Sequence, residues 1–101
     1  MRLYDLARVL RSKNAGPFAL TLDLMFETEE DFDRVLNANV LEPATIGRLY
    51  RVAPADVLIR PFRRIRTIKI TLPRAGASSG APDDRDVYGS QQHFPLADLE
   101  V

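Results

Sequence analysis

The stretch FALTLDLMF, residues 18–26, is the most regular part of the chain and decides its fold. Large apolar side chains occupy every second position, and Ala, Thr, Asp and Met occupy the positions between them. Successive side chains of a β-strand point to opposite faces, so this alternation predicts a strand with one face in the core. Asp23 is the one charged residue of the stretch and lies on the second face. The sequence therefore predicts a sheet with one buried face and one polar face.

Two helices are predicted after this strand. Thr28 is suited to cap the first, because its hydroxyl can accept a hydrogen bond from the first turn and the acidic residues that follow favour the positive end of the helix dipole. Pro43 suits the first turn of the second helix. The residues predicted to face the core are spaced three or four apart: Phe32, Val35 and Leu36 in the first helix, and Ile46, Leu49 and Tyr50 in the second.

Four further elements flank this unit. Residues 3–10 repeat their leucines at helical spacing and predict a short helix. Val57–Ile59 predicts a short strand that ends at Pro61, because proline cannot donate to a sheet. Arg66–Leu72 alternates and predicts a longer strand, and Leu96–Val101 predicts an edge strand. Together these elements indicate an α+β fold, with helices on one face of a mostly antiparallel sheet.

The length of the chain indicates one small domain, residues 1–101, with room for a core but little for a deep pocket as well. Residues 73–93 show no periodic pattern. A stretch of that length without regular structure is generally disordered or functional. We interpret residues from about 74 to 85 as a flexible loop and Asp86–His93 as a segment that docks on the domain.

Composition and charge argue against several classes of function. The 14 basic and 14 acidic residues balance, so no net field draws the chain to nucleic acid or to a membrane. No apolar run approaches the roughly 20 residues that span a bilayer, and the first residues do not resemble a signal peptide. The chain has no cysteine and one histidine, which argues against zinc and thiolate metal sites. We therefore predict a cytoplasmic protein without a metal or cofactor.

Two clusters of like charge have ordinary interpretations. The spacing of Asp83, Asp84 and Asp86 matches no calcium loop, which favours a solvated acidic patch. A basic run is interrupted by one aromatic residue, Phe62, whereas proteins that bind single-stranded nucleic acid use several. We interpret this run as a partner-facing or solvated surface; its members are Arg60, Arg63, Arg64, Arg66, Lys69 and Arg74.

A polar segment before the first strand is one candidate site. We interpret it as a turn that the strand holds in place, as loops on rigid elements often carry binding residues. Its predicted binding residues are Arg11, Ser12, Lys13, Asn14 and Gly16. The two cations suit a carboxylate or phosphate, the hydroxyl and the amide could orient it, and glycine permits unusual backbone angles. The alternative is an ordinary polar turn whose Ser and Asn bond to nearby backbone.

A second candidate site lies in the segment DVYGSQQH, residues 86–93, whose predicted binding residues are Tyr88, Gln91 and Gln92. His93 is the only histidine, so proton transfer by an imidazole at neutral pH must use it; the alternative is a surface or interface histidine. Asp23 is the other catalytic candidate, as a proton-transfer or substrate-orienting carboxylate. The alternative interpretation is that Asp23 is a solvated aspartate that pairs with Lys69 on a neighbouring strand.

Several motifs carry a resemblance to a known family. They are Leu6-Ala7, RSKNAGP (residues 11–17), TLD (21–23), IKI (68–70) and DVYGSQQH (86–93). On these motifs the chain resembles, over nearly its full length, a small single-domain family of unknown function that is associated with acyclic-terpene-utilisation (AtuA-like) proteins. The larger proteins end in a domain that opens with a similar turn, Arg-Ser-Gly-Asp-Lys-Gly, where this chain has Lys13-Asn14-Ala15 in place of the Gly-Asp-Lys core. The resemblance implies a ferredoxin-like α+β fold, a large partner of that family, and a role in the catabolism of branched organic acids or their coenzyme A thioesters.

The motifs support two hypotheses of different classes. In the first, the chain is an accessory subunit that docks on a larger acyclic-terpene-utilisation-type protein and helps to form a site for a small anionic ligand, an organic acid or acyl-CoA, with hydratase or isomerase chemistry. In the second, the chain is a non-catalytic interaction module, or a homo-oligomer that binds a small ligand between its own copies. Neither hypothesis involves nucleic acid or a membrane.

Overall fold

In the part of the chain that the structure describes, four antiparallel strands form one sheet, and helices cover one of its faces. The structure of the protein, a computed structural model, describes residues 2–14, 19–73, 96 and 99–101. The strands are β1 (Val9–Asn14), β2 (Ala19–Met25), β3 (Leu58–Phe62) and β4 (Thr67–Pro73), in the spatial order β1-β2-β4-β3. The helices are α1 (Leu3–Leu6), α2 (Glu29–Asn37) and α3 (Pro43–Tyr50), with single-turn 3₁₀ helices at Pro54–Asp56 and Arg63–Ile65.

The strand predicted at residues 18–26 is confirmed as β2, which lies between β1 and β4 in the middle of the sheet. Its three leucines are buried in the core, where they join Phe32 of α2 and Ile46 of α3 in one cluster. Both helices therefore pack on the same face of the sheet. The predicted α+β class, with a mostly antiparallel sheet, is confirmed.

The two long helices begin where the sequence predicts. The backbone N–H of Asp31 donates to Oγ1 of Thr28 at 3.1 Å, and Pro43 is the first residue of α3. From β1 onward the described elements follow the order β-β-α-α-β-β, whereas a ferredoxin-like domain follows the order β-α-β-β-α-β. The two arrangements share a four-stranded antiparallel sheet with helices on one face.

The helix predicted over residues 3–10 is wrong in its second half. Helix α1 ends at Leu6, and β1 begins at Val9. Leu10 and Ser12 occupy alternate positions of β1 and lie opposite Leu24 and Leu22 of β2. Pairing with β2 supplies β1 with a ladder of backbone hydrogen bonds, and this long-range pairing overrides the helical spacing of a short segment.

The prediction that Pro61 ends the third strand is also wrong. Strand β3 continues through Pro61 to Phe62 and pairs with β4 along its whole length. Pro61 is tolerated there because β3 is an edge strand among the described strands, and a proline nitrogen can face away from the sheet at an edge. The next strand starts one residue later than predicted, because Arg66 adopts a left-handed conformation with φ of 49°.

The C-terminal tail contacts both the core and α1. The Leu96 side chain is fully buried in the core cluster, and the backbone N–H of Leu3 donates to the carbonyl oxygen of Leu99 at 2.8 Å. Among the described residues of the tail, the predicted edge strand is reduced to one bridge, between Arg2 and Glu100. The predicted flexible loop and the docking segment lie outside the described residues.

Tyr50, the last residue of α3, contacts this tail, and its burial makes the protein less stable at alkaline pH. Burial raises the pKa of Tyr50 above its usual value of 10.0, and a hydrogen bond with the Leu96 backbone offsets part of the rise. The unfolded chain therefore releases this proton at a lower pH than the folded chain. The contribution of Tyr50 to stability is complete below about pH 10 and falls as the pH rises above it.

We expect the urea midpoint of the wild type to fall more between pH 10 and 11 than that of Tyr50→Phe, which lacks the titrating group. At pH 7 the same variant loses about 1 kcal/mol of unfolding free energy, since it lacks the hydrogen bond. Tyr4 is exposed, so Tyr4→Phe is the matched control and retains the wild-type pH dependence. If the urea midpoints of the wild type and of Tyr50→Phe fall by the same amount between pH 10 and 11, the prediction is wrong.

Candidate functional site

Strand pairing places a row of charged residues across the face of the sheet opposite α2 and α3. Arg11 of β1 lies opposite Asp23 of β2. Asp23 in turn lies opposite Lys69 of β4, and Lys69 lies opposite Arg60 of β3. These four residues alternate with core residues along their strands, so they stand on the second face, which we call the polar face. In this row, three cations from different parts of the chain accompany one carboxylate.

The carboxylate of Asp23 is buried although it belongs to the polar face; its side chain is 3% exposed. The Nε of Arg11 donates to its Oδ2 at 3.3 Å. The Nζ of Lys69 lies 3.9 Å from its Oδ1, and no described residue donates a hydrogen bond to that oxygen. Burial of a charge is costly unless it is paired, so Arg11 and Lys69 are what keep an ionised Asp23 in this position.

A cleft of about 210 Å³ opens on the polar face over this carboxylate. Its lining combines three cations, one carboxylate, one hydroxyl and three apolar side chains: Arg11, Lys13, Lys69, Asp23, Thr67, Met25, Phe62 and Ile65. In the strand register, Lys13 lies on one side of the charged row, and the neighbouring row on the other side contains Met25, Thr67 and Phe62. Along the strands, the cleft therefore runs from Lys13, past the row of Arg11, Asp23 and Lys69, to the apolar side chains. We call Lys13, Arg11 and Lys69 its cationic end, and its apolar end consists of Met25, Phe62 and Ile65.

This arrangement suits a small amphipathic anion. Carboxylates form charge-assisted hydrogen bonds with guanidinium and ammonium groups, and a hydrocarbon body gains free energy by covering apolar side chains. The volume is below the roughly 300–1,000 Å³ of pockets that enclose most of a drug-sized ligand. The described part of the chain would thus contact a small ligand on one side and leave its other side open.

The predicted polar turn is wrong for its first four residues, because residues 11–14 belong to β1. Arg11 and Lys13 share the polar face, as a strand's period of two requires. Ser12 points the other way, is buried opposite Leu22, and so is not in the cleft. The backbone of Asn14 pairs with Leu20, and its side chain lies outside the described residues.

Of the other predicted site residues, the structure places Asp23 in the cleft, beside Lys69 as the strand interpretation predicts. Five predicted residues lie outside the described residues: Gly16, Tyr88, Gln91, Gln92 and His93. That the two polar segments meet around one ligand therefore stays a prediction.

Sequence reasoning missed the apolar end of the cleft. Met25 and Thr67 follow from the alternation that puts Asp23 and Lys69 on the polar face, so this signal was present in the sequence. Phe62 and Ile65 could not be placed in the same way, because they require β3 to continue through Pro61 and a 3₁₀ turn to follow it.

Part of the basic run is engaged within the chain. Arg63 contacts Asp33 at 2.6 Å and Glu29 at 3.1 Å, and these hydrogen bonds, chiefly that of Asp33, raise the pKa of the Arg63 guanidinium. Arg66 donates to the carbonyl oxygen of Phe26 at 3.3 Å. These two cations hold the β3–β4 connection against α2 and the end of β2.

The described residues contain no group of three or more His, Cys, Asp or Glu side chains that could hold a metal ion. The acidic triplet at residues 83–86 lies outside them. In the same described ranges, no helix has the length and apolar character needed to cross a lipid bilayer.

The sequence profile of a family described as Domain of unknown function (DUF4387) matches residues 3–100, almost the whole chain. The protein belongs to this DUF4387 family. Neither a curated protein nor a solved structure shows significant similarity to this DUF4387 member.

Proposed function

We propose that this protein is a small accessory subunit that docks on a larger acyclic-terpene-utilisation-type protein and contributes one wall of a shared site for an organic acid or acyl thioester. The observation that carries the proposal is the cleft of the polar face, in which cations and apolar side chains flank a buried carboxylate.

The cationic end accounts for the charge of the ligand. Arg11 and Lys69 are 55% and 42% exposed at their side chains, and Lys13 is also exposed, so their charged groups can reach a bound anion. Three cations face one carboxylate in the lining, which leaves an excess of positive charge for the ligand. Arginine and lysine are the usual partners of carboxylate and phosphate groups.

The apolar end accounts for the ligand's hydrocarbon body and for a partner. Ile65 and Phe62 line this end, and they are 64% and 42% exposed. Exposed apolar side chains grouped beside a polar site are typical of ligand-binding or protein-binding surfaces. A partner that covers these residues would close the open side of the cleft.

The partner and the chemistry come from the resemblance described above. A shared site in branched-acid catabolism has hydratase or isomerase chemistry as its candidate reaction, with Asp23 or His93 as the proton-transfer group. Asp23 has the support of geometry, because it lies in the cleft, in the row of Arg11 and Lys69.

The exposed apolar residues also support a second candidate function, a non-catalytic interaction module. The two functions differ in what Lys13 does. In a shared site its charge binds the ligand, whereas in a module it serves at most the contact with the partner.

We expect Lys13→Met to weaken binding of 3-methylbutanoate about 10-fold, since one charge-assisted contact is lost. The measurement is calorimetric titration of the protein co-purified with an acyclic-terpene-utilisation-type protein of the same genome. Arg48→Met is the matched control: Arg48 is an exposed cation of α3, on the other side of the sheet, and its loss leaves affinity unchanged.

The same preparation tests docking. We expect Ile65→Asp to abolish co-purification because it places a charge in the apolar contact, whereas Ala44→Asp, on the exposed side of α3, preserves it. An intact complex that binds no acid favours the interaction module. Failure of the wild type to co-purify contradicts the accessory-subunit proposal.

A further inference from the structure

We propose that the ligand of the cleft is a hydroxy acid or its thioester, whose hydroxyl group donates a hydrogen bond to Oδ1 of Asp23. This inference rests on the proposed function and names the substrate class of the same site. Its starting point is the one oxygen in the cleft that is buried and accepts no hydrogen bond from a described residue.

The two carboxylate oxygens of Asp23 differ in their hydrogen bonding. Oδ2 accepts a hydrogen bond from Arg11 at 3.3 Å, and Oδ1 accepts none from the described residues. An ionised carboxylate offers several acceptor positions, and leaving one oxygen buried without a donor is costly. Groups of this kind are uncommon in folded proteins, and a catalytic role and a donor supplied from outside the chain are among their explanations.

Lys69 is close to Oδ1 but does not satisfy it. The Nζ–Oδ1 distance of 3.9 Å is well beyond the reach of an N–H···O hydrogen bond, although it permits charge attraction. The side chain of Lys69 is long and about half exposed, so its ammonium group can shift by rotation about its own bonds. A bound anion gives this ammonium group a second partner and draws it away from Oδ1.

A ligand that carries both an acid or thioester group and a hydroxyl group fits this movement of Lys69. Its carboxylate or thioester group binds at the cationic end with Lys69 and Arg11, and its hydroxyl donates to the oxygen that Lys69 uncovers. A simple acid brings its negative charge towards Asp23 without a donor between the two carboxylates, and like charges repel at short range. The cleft therefore discriminates between an acid and its hydroxylated counterpart. Sites that hydrogen-bond a substrate hydroxyl reject analogues that lack it, because their own polar group is then left unpaired.

The test compares 3-methylbutanoate with two hydroxylated forms, 3-hydroxy-3-methylbutanoate and 2-hydroxy-3-methylbutanoate. Titrations use the full chain, alone and with its co-purified partner. We expect at least one hydroxy acid to bind about 10-fold or more tightly than the parent acid. In Asp23→Asn we expect the preference to fall below about threefold, because a neutral amide forms weaker hydrogen bonds than a carboxylate.

Two controls separate loss of recognition from loss of structure. Thr71→Val alters a polar-face residue outside the cleft lining and preserves the preference for the hydroxy acid. Thermal unfolding of Asp23→Asn shows whether the variant is folded, and binding of the parent acid to it shows that the cationic end is intact.

The outcomes distinguish this inference from the proposed function. Equal binding of all three acids by the wild type overturns the hydroxy-acid inference and leaves the anion site standing. A full preference retained in Asp23→Asn also overturns it. If none of the acids binds, with or without the partner, the proposed function fails and the inference fails with it.

Discussion

Gly47→Ala is expected to lower the free energy of unfolding by about 3 kcal/mol, although alanine is favoured over glycine in a helix by about 1 kcal/mol. Gly47 is buried in α3. A Cβ atom there would lie 2.7 Å from the carbonyl oxygen of Val52 and 3.3 Å from the nitrogen of Pro54. Both atoms belong to the backbone, so no side chain can rotate to make room. The helix and the following turn would have to separate.

The hydrogen bond between these segments makes that separation costly. The backbone N–H of Val52 donates to the carbonyl oxygen of Gly47 at 2.9 Å, which fixes the turn against the helix. Urea unfolding measures the loss. The control is Arg48→Ala, at the neighbouring exposed position, which changes stability by no more than about 0.5 kcal/mol. If Gly47→Ala is as stable as the wild type, the close approach of α3 to the backbone of Val52 and Pro54 does not restrict residue 47 to glycine.

The second large effect concerns the buried carboxylate. Arg11→Met is expected to cost about 2 kcal/mol of unfolding free energy, because it removes the hydrogen-bonded partner of Asp23 and leaves the charge buried. The loss is below the 3–5 kcal/mol typical of a broken buried pair, since Lys69 remains nearby and Arg11 is itself half exposed. Asp23→Asn removes the buried charge instead and leaves only solvated cations, so its cost is about 1 kcal/mol or less.

A double-mutant cycle isolates the interaction. In the Asp23→Asn background, Arg11→Met is expected to cost less than about 0.5 kcal/mol, since no buried charge is left to compensate. Equilibrium unfolding at pH 7 gives all four free energies. Equal costs of Arg11→Met in both backgrounds would show that Arg11 acts through packing of its stem and not through Asp23.

The parts of the fold that depend on local sequence were predictable. The alternation around Leu22 predicts β2, and the hydroxyl of Thr28 and the ring of Pro43 mark the starts of two helices. The first ten residues were not predictable in this way. Their leucines fit a helix, and the choice of a strand from Val9 depends on pairing with β2, a long-range interaction that the local pattern does not contain.

Part of the candidate site was predictable from the sequence. Arg11 and Lys13 were singled out as cations of a predicted turn, Asp23 as the charged residue of a strand, and Lys69 as its partner in the non-catalytic interpretation. Ser12 was grouped with them because neighbours in a turn can share a site, whereas neighbours in a strand face opposite ways. The apolar end depends on the path of the chain after Pro61, which no periodic pattern indicates.

Pro61 also limits how this protein can assemble. Because a proline nitrogen carries no hydrogen, the outer edge of β3 lacks a donor at its fourth residue, and an incoming chain cannot complete a backbone ladder along it. Copies of the protein are thus protected from polymerising into continuous cross-chain sheets through this edge, even though Leu58 and Phe62 are apolar and accessible there. A partner that binds on this side would have to recognise the side chains, which differ from one protein to another, because main-chain pairing, which any extended peptide can offer, is interrupted at Pro61.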